Sequence, residues 1–205
     1  MKIVLLGAPG AGKGTLANGL VESLQIPSIS TGDLLRNEVN SGSEIGKSLK
    51  QIMESGKLVS TDIVLDLLKK RLAQSDTKNG YILDGFPRSI EQAELLSKFA
   101  DIDLCLNLVV EKQVILDRIC ERRTCKSCGK IYNTKSYKKD KCECGGELLI
   151  RSDDNPQTVA QRFDTFMNNT APLIEFYKKK GVLVNVVGQD NPSDTLNIAL
   201  EILKK

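Results

Sequence analysis

The sequence predicts an α/β fold: a five-stranded parallel sheet flanked by helices. Three observations carry that expectation. The apolar run at the N-terminus, MKIVLL, passes straight into a glycine-rich turn, GAPGAGKGT, and then into a helical pattern. Four further strand-like runs, at 26–29, 81–84, 104–110 and 182–187, alternate with segments of helical period. The chain has 205 residues, 40% hydrophobic and 27% charged, enough for one substantial core with small insertions. Strands that alternate with helices imply right-handed crossovers, and those impose parallel pairing.

The first strand, residues 2–6, is aliphatic and β-branched until Gly7 ends it. Leu16, Ala17, Leu20 and Leu24 then recur at helical spacing, so the turn closes onto a helix N-terminus with its partial positive charge. Gly7, Gly10, Gly12 and Gly14 let backbone N–H groups approach an anion more closely than a Cβ allows. The spacing Gly7-x-x-x-x-Gly12-Lys13 is that of a phosphate-binding loop. It departs from the general pattern at one point: Gly14 follows the lysine, and the hydroxyl comes one residue later at Thr15, which weakens the case for direct magnesium ligation there. Helical patterns are also expected at 63–72, 90–99 and 157–177. The last helix starts at Pro192-Ser193-Asp194 and buries Leu196, Ala199, Leu200 and Leu203. Two stretches interrupt the alternation: 31–60, with two short helical patterns, and 125–150, rich in lysine, glycine and cysteine, with no helical period. Both fall at strand ends, where open α/β sheets bind ligands.

The net charge of +3 is too small to argue for nucleic acid. No apolar stretch approaches a membrane span, and the first one ends at Gly7, too short for a signal peptide. A cytoplasmic location is therefore expected. Eight arginines stand against 21 lysines, so lysine serves the surface while arginine is kept for bidentate contacts with phosphate or carboxylate. Four of the six cysteines crowd into residues 125–144, where metal binding is a better reading than a disulfide framework. Cys105 and Cys120 are expected to be small buried hydrophobes with no role. In YILDGFPRS, Asp84 ends a buried strand, where an enzyme with such a loop places an acid for magnesium or its water. Arg88 follows near the same sheet edge.

These residues carry a family resemblance. GAPGAGKGT, STGDLLR at 30–36, GKLVS at 56–60, LDGFPRSIEQA at 83–93 and DRICERR at 117–123 together resemble adenylate kinase, in the family's order, with RSDDN at 151–155 and TAPLIEFY at 170–177. The resemblance implies a nucleoside monophosphate kinase fold with two mobile inserts. Residues 1–29, 60–119 and 159–205 would form the core, residues 30–59 the AMP-binding insert, and residues 120–158 a lid. It implies ATP contacts from Gly10, Ala11, Gly12, Lys13, Gly14, Thr15, Arg118 and Arg122. AMP would be bound by Thr31, Arg36, Leu58, Val59, Gly85, Arg88, Gln92, Arg151 and Arg162. Lys13, Asp84, Arg88, Arg122, Arg151 and Arg162 would act on the phosphoryl group, and Asp153 and Asp154 would position lid arginines. Six of the eight arginines thereby fall on nucleotide positions; Arg71 and Arg123 read as surface residues.

The implied reaction is reversible transfer from ATP to AMP, giving two ADP, with magnesium accompanying ATP and no histidine required. Gln92 offers a donor and an acceptor in one plane, which suits the edge of adenine. A kinase for UMP or CMP, a GTP:AMP relative, and an ATP-gated nucleic-acid-binding module are the competing readings. Cys125, Cys128, Cys142 and Cys144 are expected to hold one structural zinc. CKSCGK is a C-x-x-C knuckle, but KCECGG is one residue shorter. Residues i and i+2 of an extended segment lie about 6.6 Å apart at Cα. Tetrahedral zinc needs sulfurs only ~3.8 Å apart, which inward-leaning side chains reach. The C-x-C half is feasible without making the same knuckle, and Asp140 or Glu143 remains an alternative ligand. A monomer is expected.

Overall fold

The computed structural model describes residues 1–204. Its sheet runs β2-β3-β1-β4-β8, all parallel, from Ser28–Ser30 (β2), Tyr81–Asp84 (β3), Lys2–Leu6 (β1), Leu104–Val109 (β4) and Leu183–Val187 (β8). The central strand β1 shows why the sheet needs helices on both faces. Its side chains alternate with period two: Ile3 and Leu5 enter one core cluster, Val4 and Leu6 the other. Ile3 and Leu5 pack with Leu16, Ala17 and Leu20 of α1 (Lys13–Leu24) and Ala199 of α9 (Pro192–Leu203). On the other face, Val4 and Leu6 share a cluster with α4 (Thr61–Leu72), α5 (Ile90–Leu96) and α8 (Pro172–Lys179). This is the nucleoside monophosphate kinase fold with its phosphate-binding loop between β1 and α1.

Between β2 and α4 lie α2 (Thr31–Asn40) and α3 (Glu44–Glu54), capped by Ser30 and Ser43, whose hydroxyls accept the N–H of Asp33 and Gly46. α6 (Lys112–Cys120) leads out of β4. Residues 122–149 then hold what helical periodicity does not reveal: a three-stranded antiparallel sheet of β5 (Arg122–Cys125), β6 (Ile131–Asn133) and β7 (Leu148–Leu149), in the order β6-β5-β7.

The long helix expected over 157–177 is broken. α7 (Pro156–Thr165) passes into a π-helical turn, Phe166–Thr170, before α8 begins. The turn directs the Thr170 hydroxyl to donate to the Arg88 carbonyl at 2.8 Å, tying this break to the loop after β3. Other expected bounds shift by a few residues: the second strand begins at Ser28, and the helix expected over 90–99 ends at Leu96. Cys105 is buried in β4 as expected, whereas Cys120 is exposed at the end of α6, because its side chain leaves the face through which Ile115 and Ile119 pack. Arg71 is held by both carboxylate oxygens of Asp76, at 2.8 and 2.7 Å. Arg123 turns back to donate to the Arg122 carbonyl.

Candidate active site

The C-terminal ends of the parallel strands open into a cleft of about 730 Å³. Gly12 takes a left-handed backbone, φ 104°, and starts α1 with no side chain capping it, so the first-turn N–H groups face the cleft. Gly10, Ala11, Gly12, Lys13, Gly14 and Thr15 all line it. Lys13 folds over the loop, its Nζ donating to the carbonyls of Gly7 and Ala8 at 2.9 and 3.0 Å. Burial pushes its ammonium down to about 8; Asp84 favours the charge, while Arg88, Arg162 and Arg122 oppose it.

The departure at Gly14 now has a packing reason. A Cβ there would lie 2.9 Å from Cδ1 of Ile131, which β6 carries over the loop, and 3.6 Å from Oδ2 of Asp84. The small sheet and the glycine loop thus meet at Gly14, where a side chain would have to displace the Ile131 methyl, and Asp84 faces the same spot from the end of β3.

Arginines converge on this cleft from four directions. Arg88 follows β3, Arg36 lies on α2, Arg122 and Arg151 flank the small sheet, and Arg162 comes from α7. Burial is the first cause that brings Arg88 and Arg151 down to about 10, and neighbouring guanidinium groups add to it: Arg162 on Arg88, Arg36 and Arg122 on Arg151. Arg162 is lowered chiefly by burial as well. Arg122 moves the other way: burial would lower it, but the hydrogen bonds it donates to Asp154 and the charges of Asp154, Asp153 and Asp84 outweigh that. Asp154 takes Nε of Arg122 at 2.8 Å and also its NH2; Asp153 takes NH1 of Arg162 at 2.8 Å. Asp33 pairs with Arg36 in the same helix, and this guanidinium outweighs the burial that would raise the carboxyl, holding it below the usual range. Six cations thus face four carboxylates in one partly buried space, an arrangement that favours an incoming anion.

A smaller cavity of about 60 Å³ adjoins the cleft, lined by Thr31, Leu58, Val59, Gly85, Arg88 and Gln92 among others. Gly85 is its pivot: its carbonyl accepts both Nε of Arg88 at 2.7 Å and the Thr31 hydroxyl at 2.8 Å. With φ 81° and a virtual Cβ only 2.9 Å from Arg88, no larger residue fits there unstrained. Gln92 is buried, and its Oε1 already accepts the Arg88 N–H at 2.8 Å, leaving Nε2 as its donor. The structure therefore brings together every expected nucleotide residue, in two adjoining spaces. Arg118 sits at the rim, donating to the carbonyls of Ala11 at 3.1 Å and Gln189 at 2.8 Å.

Gln189, Thr124 and the β6 residues escape a reading by residue type, and Asp33 went unread for another reason. Gln189 contributes a backbone carbonyl, which leaves no trace in sequence. Thr124 accepts Nε of Arg151 at 2.9 Å from a strand with no visible period. Asp33 was legible, three residues before Arg36.

Away from the cleft, the sulfurs of Cys125, Cys128, Cys142 and Cys144 all lie within 4.8 Å of one another. Cys125 and Cys144 sulfurs are 3.6 Å apart, and Cys128 and Cys142 sulfurs 3.5 Å. These spacings fit a tetrahedral thiolate set. Glu143 is turned outward to Lys130 at 2.6 Å, so it is no substitute ligand, and Asp140 is exposed outside the group. The shortened half does turn N–H groups toward sulfur: Cys144 toward Cys142, and Gly146 toward Cys144. The Tyr132 hydroxyl is the first cause that brings the Cys142 thiol down to about 6.

A family model of adenylate kinase matches residues 5–182. The chain is 47% identical to an adenylate kinase of Thermodesulfovibrio yellowstonii, with all of both chains covered. It is also 47% identical to one of Caldicellulosiruptor saccharolyticus, over 99% of both. An adenylate kinase of Archaeoglobus fulgidus matches at 45% over 92% of this chain and 91% of its own. With a phosphate-binding loop, a ring of arginines and relatives aligned from end to end, this chain belongs to the adenylate kinase family.

Proposed function

We infer that the protein transfers the terminal phosphoryl group of ATP to AMP, reversibly, giving two ADP. The observation that carries this is the convergence of Lys13 and five arginines on the space between the large cleft and the small cavity. Two nucleotides entering from these two sides would bring their phosphates together there. Phosphoryl transfer needs in-line positioning and neutralisation of spreading charge more than it needs covalent chemistry. The acceptor phosphate is already ionised at neutral pH, so no general base is needed. Water is the competing acceptor, and the small sheet lying over the loop would exclude it.

On this reading the first-turn N–H groups of α1 and Lys13 hold the donor phosphates, with Arg118 at the base and Arg122 beside the transferred group. Arg36 and Arg88 hold the AMP phosphate, while Arg151 and Arg162 bridge the two. Thr31, Leu58, Val59, Gly85 and Gln92 enclose the adenine. Asp153 and Asp154 keep the arginines aimed. Magnesium, bound with ATP, would neutralise charge on the β- and γ-phosphates, and Asp84 is the carboxylate placed to hold it or its waters. The four cysteines would hold one structural zinc, which ties together loops supported by little else than Tyr132, Tyr137 and Leu148. The moving parts would be residues 30–59 and 120–158 on a core of 1–29, 60–119 and 159–205. We place the protein in the cytoplasm as a monomer. No helix among the described residues is long and apolar enough to cross a membrane, and none of the six cysteines is in a disulfide.

A nucleic-acid-binding module gains no support from the cysteine segment. Its two aromatic rings, Tyr132 and Tyr137, stack on each other at 4.1 Å rather than presenting faces to bases. A coupled assay of ADP formation, with ATP or GTP as donor and each monophosphate as acceptor, tests the assignment. ATP with AMP is expected to lead; UMP or CMP ahead of AMP refutes it.

A further inference from the structure

We propose that the Tyr132 hydroxyl is a working part of the cysteine site, donating a hydrogen bond to the Cys142 sulfur and so holding that ligand for the metal. The proposal rests on the zinc reading above. Tyr132 is buried in the middle of β6, and its hydroxyl lies 3.1 Å from Cys142 Sγ. The direction of that bond follows from the neighbouring contact. The Glu143 N–H points at the same hydroxyl oxygen at 3.4 Å and takes up its acceptor side, leaving the phenolic hydrogen for the sulfur. A metal-bound thiolate carries no hydrogen and can only accept, so the two requirements agree.

The second tyrosine fixes the other side of the same ligand. Tyr137 donates from its hydroxyl to the Lys141 carbonyl at 2.8 Å, and its ring stacks on Tyr132. The peptide groups before and after Cys142 are therefore both held by the tyrosine pair. In the C-x-x-C half the chain itself makes the turn, with Gly129 in the left-handed region at φ 74°. There Cys125 faces the backbone N–H groups of both Ser127 and Cys128, whereas in the shorter C-x-C half Cys142 faces only that of Cys144, and the tyrosine supplies the second donor. Tyr132 thus acts as a positioning residue, and outer-shell partners of this kind govern how firmly a metal is kept.

The test uses Tyr132→Phe, which keeps the ring and its stacking, in full-length protein purified without chelator. Zinc release into an excess of a chromophoric chelator is expected to be about tenfold faster than in wild type. The thermal midpoint of the zinc-loaded variant is expected to fall, while that of the stripped variant matches stripped wild type. Release within about twofold of wild type, from protein carrying a full equivalent of zinc, overturns the proposal and leaves the zinc reading standing. An equal loss of midpoint with and without zinc also overturns it, because the hydroxyl would then act through packing alone. Wild type that carries no zinc fails the zinc reading itself, and this proposal with it. If the variant does not fold, the near-ultraviolet tyrosine spectrum of wild type decides: it is expected to change when zinc is removed, and an unchanged spectrum refutes the contact.

Discussion

The pH dependence of ATP use isolates Lys13. Burial lowers its ammonium from an ordinary 10.5 to about 8, which penalises the charged form by about 3 kcal/mol. Donor phosphates restore the preference for charge, so the nucleotide complex holds the proton that the free enzyme loses around pH 8. Because kcat/KM reports the free enzyme, its value for ATP is expected to fall about tenfold per pH unit above about 8. At saturating ATP, kcat stays flat further into the alkaline range. The assay is steady-state ADP formation from about pH 7 to about 10, with AMP well below its KM for the kcat/KM profile and saturating for kcat, and with Lys13→Arg beside it. Arginine starts from a higher ordinary value than lysine, so that variant, though slower, should have its alkaline limb moved to higher pH. Stability moves in the opposite sense. Between about 8 and 10.5 the folded chain binds fewer protons at Lys13 than the unfolded one, so this group makes the free protein more stable as pH rises through that window. A kcat/KM profile for ATP that stays level past about pH 9.5 refutes the reasoning, since a lysine that keeps its proton there is not the buried group in this cleft.

Gln92→Ala is expected to lower kcat/KM for AMP by about tenfold or more, from a lost amide contact worth about 1–3 kcal/mol, while KM for ATP stays near wild type. Kinetics with AMP, CMP, UMP and GMP check this, and an AMP preference as strict as in wild type counts against adenine at that position. Tyr177→Phe is expected to stabilise the protein by about 1–3 kcal/mol, because the Tyr177 hydroxyl is the one buried side-chain polar atom among the described residues without a hydrogen-bond partner. Urea unfolding measures it, and a loss of stability would mean the hydroxyl has a partner that the packing of Leu173, Phe176 and Cys105 does not reveal.

What was legible in the sequence follows from how local each cause is. The central strands and their order of alternation came through because Ile3, Val4, Leu5 and Leu6 are buried on both faces, which demands an unbroken aliphatic run. The glycine loop came through because its conformation excludes side chains. The small sheet did not, since β5 reads RRTC and β7 only LL, too short and too polar for a period-two pattern. Its pairing is set by contacts distant in sequence, such as the register of Arg123 with Tyr132. The break after α7 had a signal in Pro172, which lacks an N–H and opens α8, but its form as a π turn did not show, since nothing in FMNNT forbids an α-helix and the Thr170 hydroxyl meets a carbonyl distant in sequence, that of Arg88.

The site was legible by residue type but not by pairing, and the pairing carries the physics. Arginine scarcity pointed to residues that line the cleft, yet a cluster of buried guanidinium groups with nothing between them would be unstable. The chain answers with carboxylates: Asp154 on Arg122 and, at 3.8 Å, on Arg162 as well; Asp153 on Arg162; Asp33 on Arg36. Breaking the buried Arg122–Asp154 pair costs about 3–5 kcal/mol, because the remaining charge is left without a partner, whereas the half-exposed Asp33–Arg36 pair is screened by water and is worth far less. On the proposed reading, a phosphate that enters the cleft must compete with these carboxylates for the same N–H donors, so only part of the gross attraction becomes binding energy. Arg88 and Arg151 are different. Arg88 gives its Nε to a backbone carbonyl and Arg151 to a threonine hydroxyl, both neutral, and both guanidinium groups are pushed down to about 10. With no carboxylate to leave, these two would, on the same reading, meet an incoming phosphate without an exchange.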